Sequence, residues 1–286
     1  MLKKSEGQQD YGVKLRHVDY WNSVFAGRTI SSLKSEEIFR NLPTHWIGTR
    51  VKEPRKLSNA TKNRYLSTIR RIFSVAKEIE WVATAPRLST FGEPKVNIRW
   101  LTKEDAQVML SKMNLEWMHH VCRFALATGA RANEILSLTW DKVDTDRSMA
   151  WVTNDLAKNG RARPMPLNSE AVSLLEARKS AKMPYCFTRQ SGRRITQIDK
   201  RTLDRAAELA GIKPLKFHDL RHTWASWHVQ SGTPLMVLKE LGGWETIQMV
   251  QKYAHLDAGH LANYVNATQF MTHLCHTKGT GNKKAA

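Results

Sequence analysis

The amino-acid sequence predicts a mainly α-helical protein with one small β-sheet, divided into two domains. Apolar residues recur at three- and four-residue steps through much of the 286-residue chain, as on the buried face of a helix. Residues 147–167 change to an alternating pattern around a turn, which indicates a β-hairpin. Residues 84–98 contain two prolines and a glycine between helical regions and predict a linker, although one domain is also compatible with this length.

The predicted first domain, residues 1–85, is helical and basic. Residues 58–81 place seven apolar side chains on one stripe of a long helix: Tyr65, Leu66, Ile69, Ile72, Phe73, Ala76 and Ile79. Five basic side chains lie off that stripe, on a face that is either solvated or placed against phosphates: Lys62, Arg64, Arg70, Arg71 and Lys77. A shorter helix is expected to begin near Ser35, with Ser35 as its N-cap.

The predicted linker, residues 86–98, precedes a second domain at 99–276 and a disordered basic tail at 277–286. Thr102 begins a helix with an acidic first turn, and the segment EWMHHVCRFALATG is apolar almost all round, which indicates a buried helix. The predicted hairpin carries Lys158 at its tip. Further helices are expected in NSEAVSLLEARKSAK, RTLDRAAELAG, HDLRHTWASWHVQSG, PLMVLKELGG and, opened by a glycine pair, LGGWETIQMVQKYAHL.

The chain is strongly basic, with 45 Lys and Arg against 26 Asp and Glu, a net charge of +19 and a pI near 10.0. Residues 1–97 carry 18 basic and 9 acidic side chains, and residues 98–286 carry 27 and 17, so the two parts contribute +9 and +10. This balance favours a polyanionic partner that touches both domains, because Lys and Arg neutralise phosphates. A basic surface without a specific partner is the alternative.

Several classes of protein are disfavoured. The three cysteines, Cys122, Cys186 and Cys275, are far apart and form no C-x-x-C pair, which favours a reduced cytoplasmic protein. No apolar run approaches the roughly 20 residues that span a bilayer, and the first residues lack the apolar core of a signal peptide. The sequence has no GxxxxGK phosphate loop, no GxGxxG turn and no HExxH motif, so chemistry driven by a bound nucleotide is not expected.

His218 and Arg221 stand three residues apart and therefore share one face of a helix. A guanidinium offers several donors and an imidazole accepts or donates a proton, so the pair can address one anion. His218 and His222 are four apart, which also fits a metal on one helix face. No metal site is expected, because Arg221 would bring a cation beside the ion.

Arg131 follows Gly129 at the start of a short predicted helix, and a helix N-terminus attracts anions. Arg131 is therefore a second candidate phosphate ligand. A surface arginine paired with Glu134 is the alternative. Considered alone, Tyr253 is a half-buried aromatic residue and Trp244 a core anchor.

Four segments, in this order and spacing, resemble the catalytic domain of tyrosine recombinases, the phage integrase family: ATGARANEILSLTWDKVD, AKNGRARPMPL, FHDLRHTWASW and LGGWETIQMVQKYAHL. The resemblance covers about residues 101–256, and the basic helical segment before it resembles the core-binding domain of that family. It implies a helical core-binding domain followed by an α+β catalytic domain. It also implies six catalytic residues: Arg131, Lys158, His218, Arg221, Trp244 and Tyr253.

The resemblance implies covalent chemistry on DNA. The Tyr253 hydroxyl would attack a backbone phosphate and leave a 3′-phosphotyrosine and a free 5′-hydroxyl. Because the covalent link conserves the energy of the broken ester, the reaction needs no ATP, metal or other cofactor. Arg131 and Arg221 would stabilise the negative charge on the phosphoryl oxygens.

His218 is expected to be the general base, since a tyrosine hydroxyl has a pKa of about 10. Lys158 is expected to be the general acid that protonates the leaving oxygen. Trp244 replaces the histidine of most members. Its indole N–H only donates, so it is expected to hold a phosphate oxygen or to buttress the tyrosine. Val250 replaces a threonine of many relatives, and His222 is interpreted as a structural histidine.

The expected function is site-specific recombination at double-stranded DNA attachment sites, for integration or excision of a phage or mobile element. The resemblance implies a homotetramer on DNA and leaves room for accessory DNA-bending or directionality factors. Residues 261–271 are expected to form a helix that docks in trans on a neighbouring protomer or closes its own core. A type IB topoisomerase and a catalytically inactive DNA-binding relative are the alternatives, and competent groups at every catalytic position argue against the latter. His255 has no assigned role.

Overall fold

The predicted mainly α-helical fold with a small β-sheet is confirmed by the computed structural model of the protein. The chain divides into two compact units, with the boundary between residues 96 and 97. The structure describes residues 11–46, 54–94, 98–153, 162–179 and 183–256.

The first unit contains three helices and a two-stranded antiparallel sheet among its described residues. In chain order these are α1 (Tyr11–Val24), a 3-10 turn (Ile30–Ser32), α2 (Ser35–Arg40), β1 (His45–Trp46), β2 (Arg55–Lys56) and α3 (Asn59–Glu78). Helix α1 and the small sheet were not predicted. Within α1 only His17 and Trp21 are buried, so its sequence shows no continuous apolar stripe.

Helix α3 was predicted from its apolar stripe and is confirmed. The Ser58 hydroxyl caps it by accepting a hydrogen bond from the Thr61 N–H at 3.2 Å. Four members of the stripe lie in the core of the first unit: Leu66, Ile69, Phe73 and Ala76. Ile79, placed on the same stripe by its spacing, lies beyond the helix end and is 49% exposed.

The predicted cap of α2 is wrong by one residue. Ser35 is the first helical residue, and Lys34 is the N-cap. The Glu37 carboxylate reaches back to accept the Lys34 N–H at 3.2 Å, which satisfies an end group that a serine hydroxyl was expected to serve. Part of the predicted linker also packs on the first unit, because Leu88 lies in its core.

The second unit contains eight helices and a three-stranded sheet among its described residues. In chain order these are α4 (Lys103–Ser111), α5 (Glu116–Thr128), α6 (Ala132–Leu136), β3 (Val143–Asp144), β4 (Met149–Val152), β5 (Arg163–Pro166), α7 (Ser169–Arg178), α8 (Lys200–Leu209), α9 (Phe217–Gln230), α10 (Leu235–Gly242) and α11 (Gln248–Gln251). Strand order is β3-β4-β5, all antiparallel.

Side-chain caps begin three of these helices. Thr102, Asn168 and Asp199 accept hydrogen bonds from backbone N–H groups in the first turns of α4, α7 and α8. Helix α5 packs against both α7 and α9 and buries residues on nearly every side, as its all-round apolar sequence predicted. It is the central helix of the core of the second unit.

The two strands of the predicted hairpin pair as expected, with Met149 opposite Pro166 and Val152 opposite Arg163. The two prolines of β5 are tolerated because this strand lies at the edge of the sheet. Lys158, predicted at the hairpin tip, lies outside the described residues.

The long helix predicted for LGGWETIQMVQKYAHL is wrong. Helix α10 ends at Gly242, and Gly243 adopts a left-handed φ of 63°. The N–H groups of Gly243 and Trp244 turn back onto carbonyls of α10, which closes that helix. Helix α11 has four residues, and Tyr253 follows it at the start of a short 3-10 turn (Ala254–Leu256).

The predicted C-terminal helix at 261–271 and the predicted basic tail lie outside the described residues. Within the described part of the chain, no helix combines the length and the apolar character needed to cross a membrane.

Candidate active site

Five of the six predicted catalytic residues fall within the described chain, and a continuous series of contacts joins them. They come from α9 and from the chain segments that begin α6 and follow α10: Arg131, His218, Arg221, Trp244 and Tyr253.

Arg131 is the N-cap residue of α6 and lies half-buried, with 25% of its side chain exposed. The buried Glu134 carboxylate accepts its backbone N–H at 2.9 Å and its guanidinium at 2.7 Å. A second guanidinium nitrogen donates to the Gly243 carbonyl at 3.2 Å. The pairing with Glu134 is therefore present, but it also directs Arg131 toward the loop that follows α10.

Arg221 is the largest fully buried side chain of the described residues. Its two terminal nitrogens donate to the carbonyls of Gly129 at 2.6 Å and Gly242 at 2.7 Å. Burial lowers the pKa of Arg221 to about 9, and the neighbouring charge of Arg131 acts in the same direction. A buried cation without a carboxylate partner of its own has a strong electrostatic reason to bind an anion.

Trp244 packs its ring against the guanidinium of Arg221, with Cζ 4.0 Å from the ring centroid. The ring centroid of Trp244 also lies 6.0 Å from that of Tyr253. A Cβ on Gly242 would come within 1.9 Å of the same indole ring, so the first residue of the glycine pair makes room for it. Trp244 thus supports both a candidate phosphate ligand and the candidate nucleophile.

The Tyr253 side chain is fully buried, and its hydroxyl lies 2.5 Å from Nδ1 of His222. Burial raises the pKa of Tyr253 above its ordinary value, while the positive charge of Arg221 opposes that change. The tyrosine is therefore a neutral hydroxyl that needs a proton acceptor before it can attack.

Two histidines of α9 lie next to each other beside the tyrosine. The rings of His218 and His222 meet edge to face, with centroids 4.9 Å apart. Burial lowers both histidine pKa values, and nearby cations add to this effect; the pKa of His222 falls to about 4. Both rings are consequently neutral near pH 7 and are able to accept a proton.

The role of His222 was missed from the sequence, where it was interpreted as structural. Its spacing of four residues from His218 places both rings on one helix face, which is the signal that was available. Two further site residues were not predicted. Lys252 holds its Nζ 5.1 Å from the Tyr253 ring centroid, and Arg163 donates to the Glu134 carboxylate at 3.1 Å.

Two of the five predicted DNA-binding residues of α3 make bonds within the first unit. Arg70 donates twice to the Leu88 carbonyl, at 3.0 and 2.5 Å. Arg71 forms a salt bridge with Glu78 at 2.9 Å. The Arg70 guanidinium is therefore engaged in holding the segment that follows α3.

The other three candidates of α3 differ in their surroundings. Lys62 holds its Nζ 5.4 Å from the Phe91 ring centroid. Arg64 and Lys77 are exposed. These three side chains are better placed than Arg70 to meet phosphates.

The site combines two guanidinium groups, two neutral imidazoles and a buried tyrosine hydroxyl. Donors on Arg131 and Arg221 fit the oxygens of a phosphate, and a tyrosine beside a proton acceptor fits a nucleophile. Within the described part of the chain, no cluster of three His, Cys, Asp or Glu side chains is arranged to hold a metal ion.

Residues 99–260 match the phage integrase family. The integrase of Salmonella phage P22 is 34% identical over 254 residues, which are 81% of this chain and 65% of that protein. The integrase of Haemophilus phage HP1 is 27% identical over 212 residues, which are 72% of this chain and 59% of that protein. The chain therefore spans less than two thirds of the length of these two relatives.

The fold is shared with solved structures at low identity. Lambda integrase, as a dimer bound to a COC′ core site, superposes with a TM-score of 0.68 at 17% identity, over 88% of this chain and 90% of that chain. The integrase of transposon Tn1549, in complex with a circular intermediate DNA, gives a TM-score of 0.68 at 18% identity, over 92% and 96%.

Proposed function

Because the chain belongs to the phage integrase family, we propose that it is a site-specific DNA recombinase that cuts and rejoins strands through a covalent 3′-phosphotyrosine. One observation carries this proposal. Arg131 and Arg221 both donate to the glycine pair before Trp244, and Trp244 packs beside the buried hydroxyl-bearing ring of Tyr253. Two cations and a nucleophile thus converge on one small volume.

The proposed first step is attack of the Tyr253 hydroxyl on a backbone phosphorus atom. The phosphate is joined to the tyrosine as its 3′ ester, and the 5′-oxygen leaves and takes up a proton. Arg131 and Arg221 stabilise the charge that grows on the non-bridging oxygens, in a site where burial strengthens electrostatic attraction. The reverse attack by a 5′-hydroxyl rejoins the strand without any external energy source.

The tyrosine proton needs an acceptor, and two histidines are candidates. His218 is the base proposed from the family resemblance, and His222 is the group that lies against the hydroxyl. We include both, with His222 as the first acceptor. Lys158, which lies outside the described residues, is proposed as the general acid for the leaving oxygen, and Trp244 as the support of Arg221.

The proposed substrates are double-stranded DNA attachment sites, and the proposed biological role is integration or excision of a phage or mobile element in the cytoplasm. The 34% identity to the phage P22 integrase and the net charge of +19 support this role. A homotetramer on DNA, with trans docking of the segment at 261–271, completes the proposal. Lys62, Arg64 and Lys77 of α3 are proposed phosphate contacts.

A pool of duplexes with randomised cores tests the function for any target sequence. Each duplex also carries a nick that lets the short 5′-hydroxyl fragment diffuse away, so cleavage traps the enzyme on DNA. Sequencing of the trapped DNA should give one preferred site. Two copies of that site on separate molecules should then exchange strands, whereas relaxation of supercoils without exchange would indicate a topoisomerase.

A further inference from the structure

The end of α10 is held by three arginines from three different parts of the second unit. Each donates to one of three successive backbone carbonyls, at 3.3, 2.7 and 3.2 Å: Arg163 to Leu241, Arg221 to Gly242 and Arg131 to Gly243. The C-terminal end of a helix carries partial negative charge, so cations are favoured there. Two of these arginines are candidate phosphate ligands, but Arg163 has no role in the proposed reaction.

Arg163 is linked to Arg131 through one buried carboxylate. The Glu134 side chain is 1% exposed and accepts from Arg131 at 2.7 Å and from Arg163 at 3.1 Å. Burial alone would raise the pKa of Glu134, but the charge of Arg163 and the bonds from Arg131 outweigh burial and lower it. Glu134 is therefore an anion shared by two arginines.

Arg163 also contacts the loop that leads to Trp244. Its side chain is 15% exposed and lies so close to Gly243 that a Cβ there would stand 2.3 Å from its Nε. Arg163 begins β5, opposite Val152 of β4. The side chain thus joins the two-stranded part of the hairpin to the loop after α10 and to Glu134.

We propose that Arg163 is a positioning residue for strand cleavage, which acts by sharing Glu134 with Arg131 and by fixing the Leu241 carbonyl. Without Arg163, the carboxylate has Arg131 as its remaining guanidinium partner and draws it away from the phosphate. The loop before Trp244 also loses one of its three anchors. This role rests on the proposed function.

Arg163→Gln tests the role in single-turnover cleavage of the duplex recovered from the randomised pool. We expect cleavage to slow by at least about tenfold, because displacement of a catalytic group by a fraction of an ångström has effects of this size or larger. Duplex affinity should stay within about twofold, since Arg163 does not act by adding a phosphate contact. Arg123→Gln is the matched control: it breaks an exposed arginine–glutamate pair with Glu170 in the same unit and should leave the rate unchanged.

A double-mutant cycle with Arg131→Lys separates positioning from a general structural effect. If Arg163 acts through Arg131, Arg163→Gln should cost much less in the Arg131→Lys background than in the wild-type background. An equal fold-loss in both backgrounds would overturn the proposal. So would a wild-type cleavage rate in folded Arg163→Gln protein.

Arg163→Lys decides the question where the glutamine variant does not fold. Lysine keeps a cation for Glu134 but cannot bridge the carboxylate and the Leu241 carbonyl with a planar fork, so cleavage should still be slower than in the wild type. An unchanged rate in this variant contradicts the role of Arg163. A wild-type protein that traps no DNA from the pool instead overturns the proposed function, and the positioning role with it.

Discussion

The Tyr253 hydroxyl and the His222 ring are hydrogen-bonded across 31 residues of sequence, at 2.5 Å, and the tyrosine side chain is fully buried. The low pKa of His222, about 4, leaves its ring neutral near pH 7, as burial and the cations around it dictate. The candidate nucleophile therefore has a neutral acceptor in contact with the atom that must lose a proton.

Replacement of His222 by alanine should slow strand cleavage by about a hundredfold, the lower range for loss of a general base. The measurement is the single-turnover rate on a nicked duplex, compared with that of His218→Ala. His228→Ala is a matched control, because His228 is a partly buried histidine of the same helix that bonds Thr233 away from the tyrosine. Wild-type cleavage by His222→Ala would show that this contact has no part in the reaction.

The pH dependence of cleavage follows from the two depressed histidine pKa values. Burial and nearby cations favour the neutral rings of His218 and His222, so both remain proton acceptors below the ordinary histidine pKa of about 6.5. Cleavage should therefore hold its rate as pH falls through about 6.5 and decline only at lower pH. An acid limb centred at or above that value would contradict the account.

Trp244 should act through both its ring and its indole N–H. Trp244→His should keep activity, and Trp244→Phe should lower the cleavage rate by about three- to tenfold, because a phenyl ring attracts the Arg221 cation less and lacks a donor. Single-turnover cleavage measures both variants. Equal activity of the phenylalanine variant would show that packing alone matters at this position.

The close approach of Arg163 to Gly243 predicts a large cost for a side chain there. Gly232 has a similar left-handed φ, 80° against 63°, but open space where its Cβ would lie. Gly232→Ala should therefore lower the free energy of unfolding by backbone strain alone, ~1 kcal/mol. Gly243→Ala should lower it by at least ~1 kcal/mol more, because the guanidinium must move. Urea unfolding measures both variants, and equal losses would contradict the contact.

Local sequence patterns predicted the elements that bury a regular apolar face. The stripe around Leu66 and Phe73 predicted α3, and the alternation around Trp151 predicted the hairpin strands. Helix α1 escaped prediction because its burial depends on Trp21 and His17 rather than on a stripe. Such an element forms because of tertiary contacts that its own sequence does not display.

The site divides in the same way. Motif spacing predicted Arg131, Arg221 and Tyr253, since the resemblance depends on the order of four segments. The contacts of His222 with the tyrosine and of Arg163 with Glu134 join residues 31 and 29 positions apart, through groups that any surface helix or strand can carry. Only the folded arrangement of the chain shows that they meet.

The helix boundary after α10 shows why a glycine pair misled the prediction. The pair LGG was expected to open a helix, but Gly243 instead closes one with a left-handed φ. The chain then turns so that Trp244 packs against Arg221 and Tyr253 becomes buried. Contacts with α9, which follow from the tertiary fold, decide the conformation of this segment.

The central claim is that Tyr253 is the nucleophile, and the position of the covalent bond tests it most directly. The trapped protein–DNA complex is digested with protease and nuclease, and mass spectrometry locates the nucleotide adduct. The account predicts an adduct on Tyr253, no trapped complex from Tyr253→Phe, and normal trapping by Tyr185→Phe, a control for a half-buried tyrosine of the same unit. An adduct on any other residue, or equal trapping by wild type and Tyr253→Phe, would contradict it.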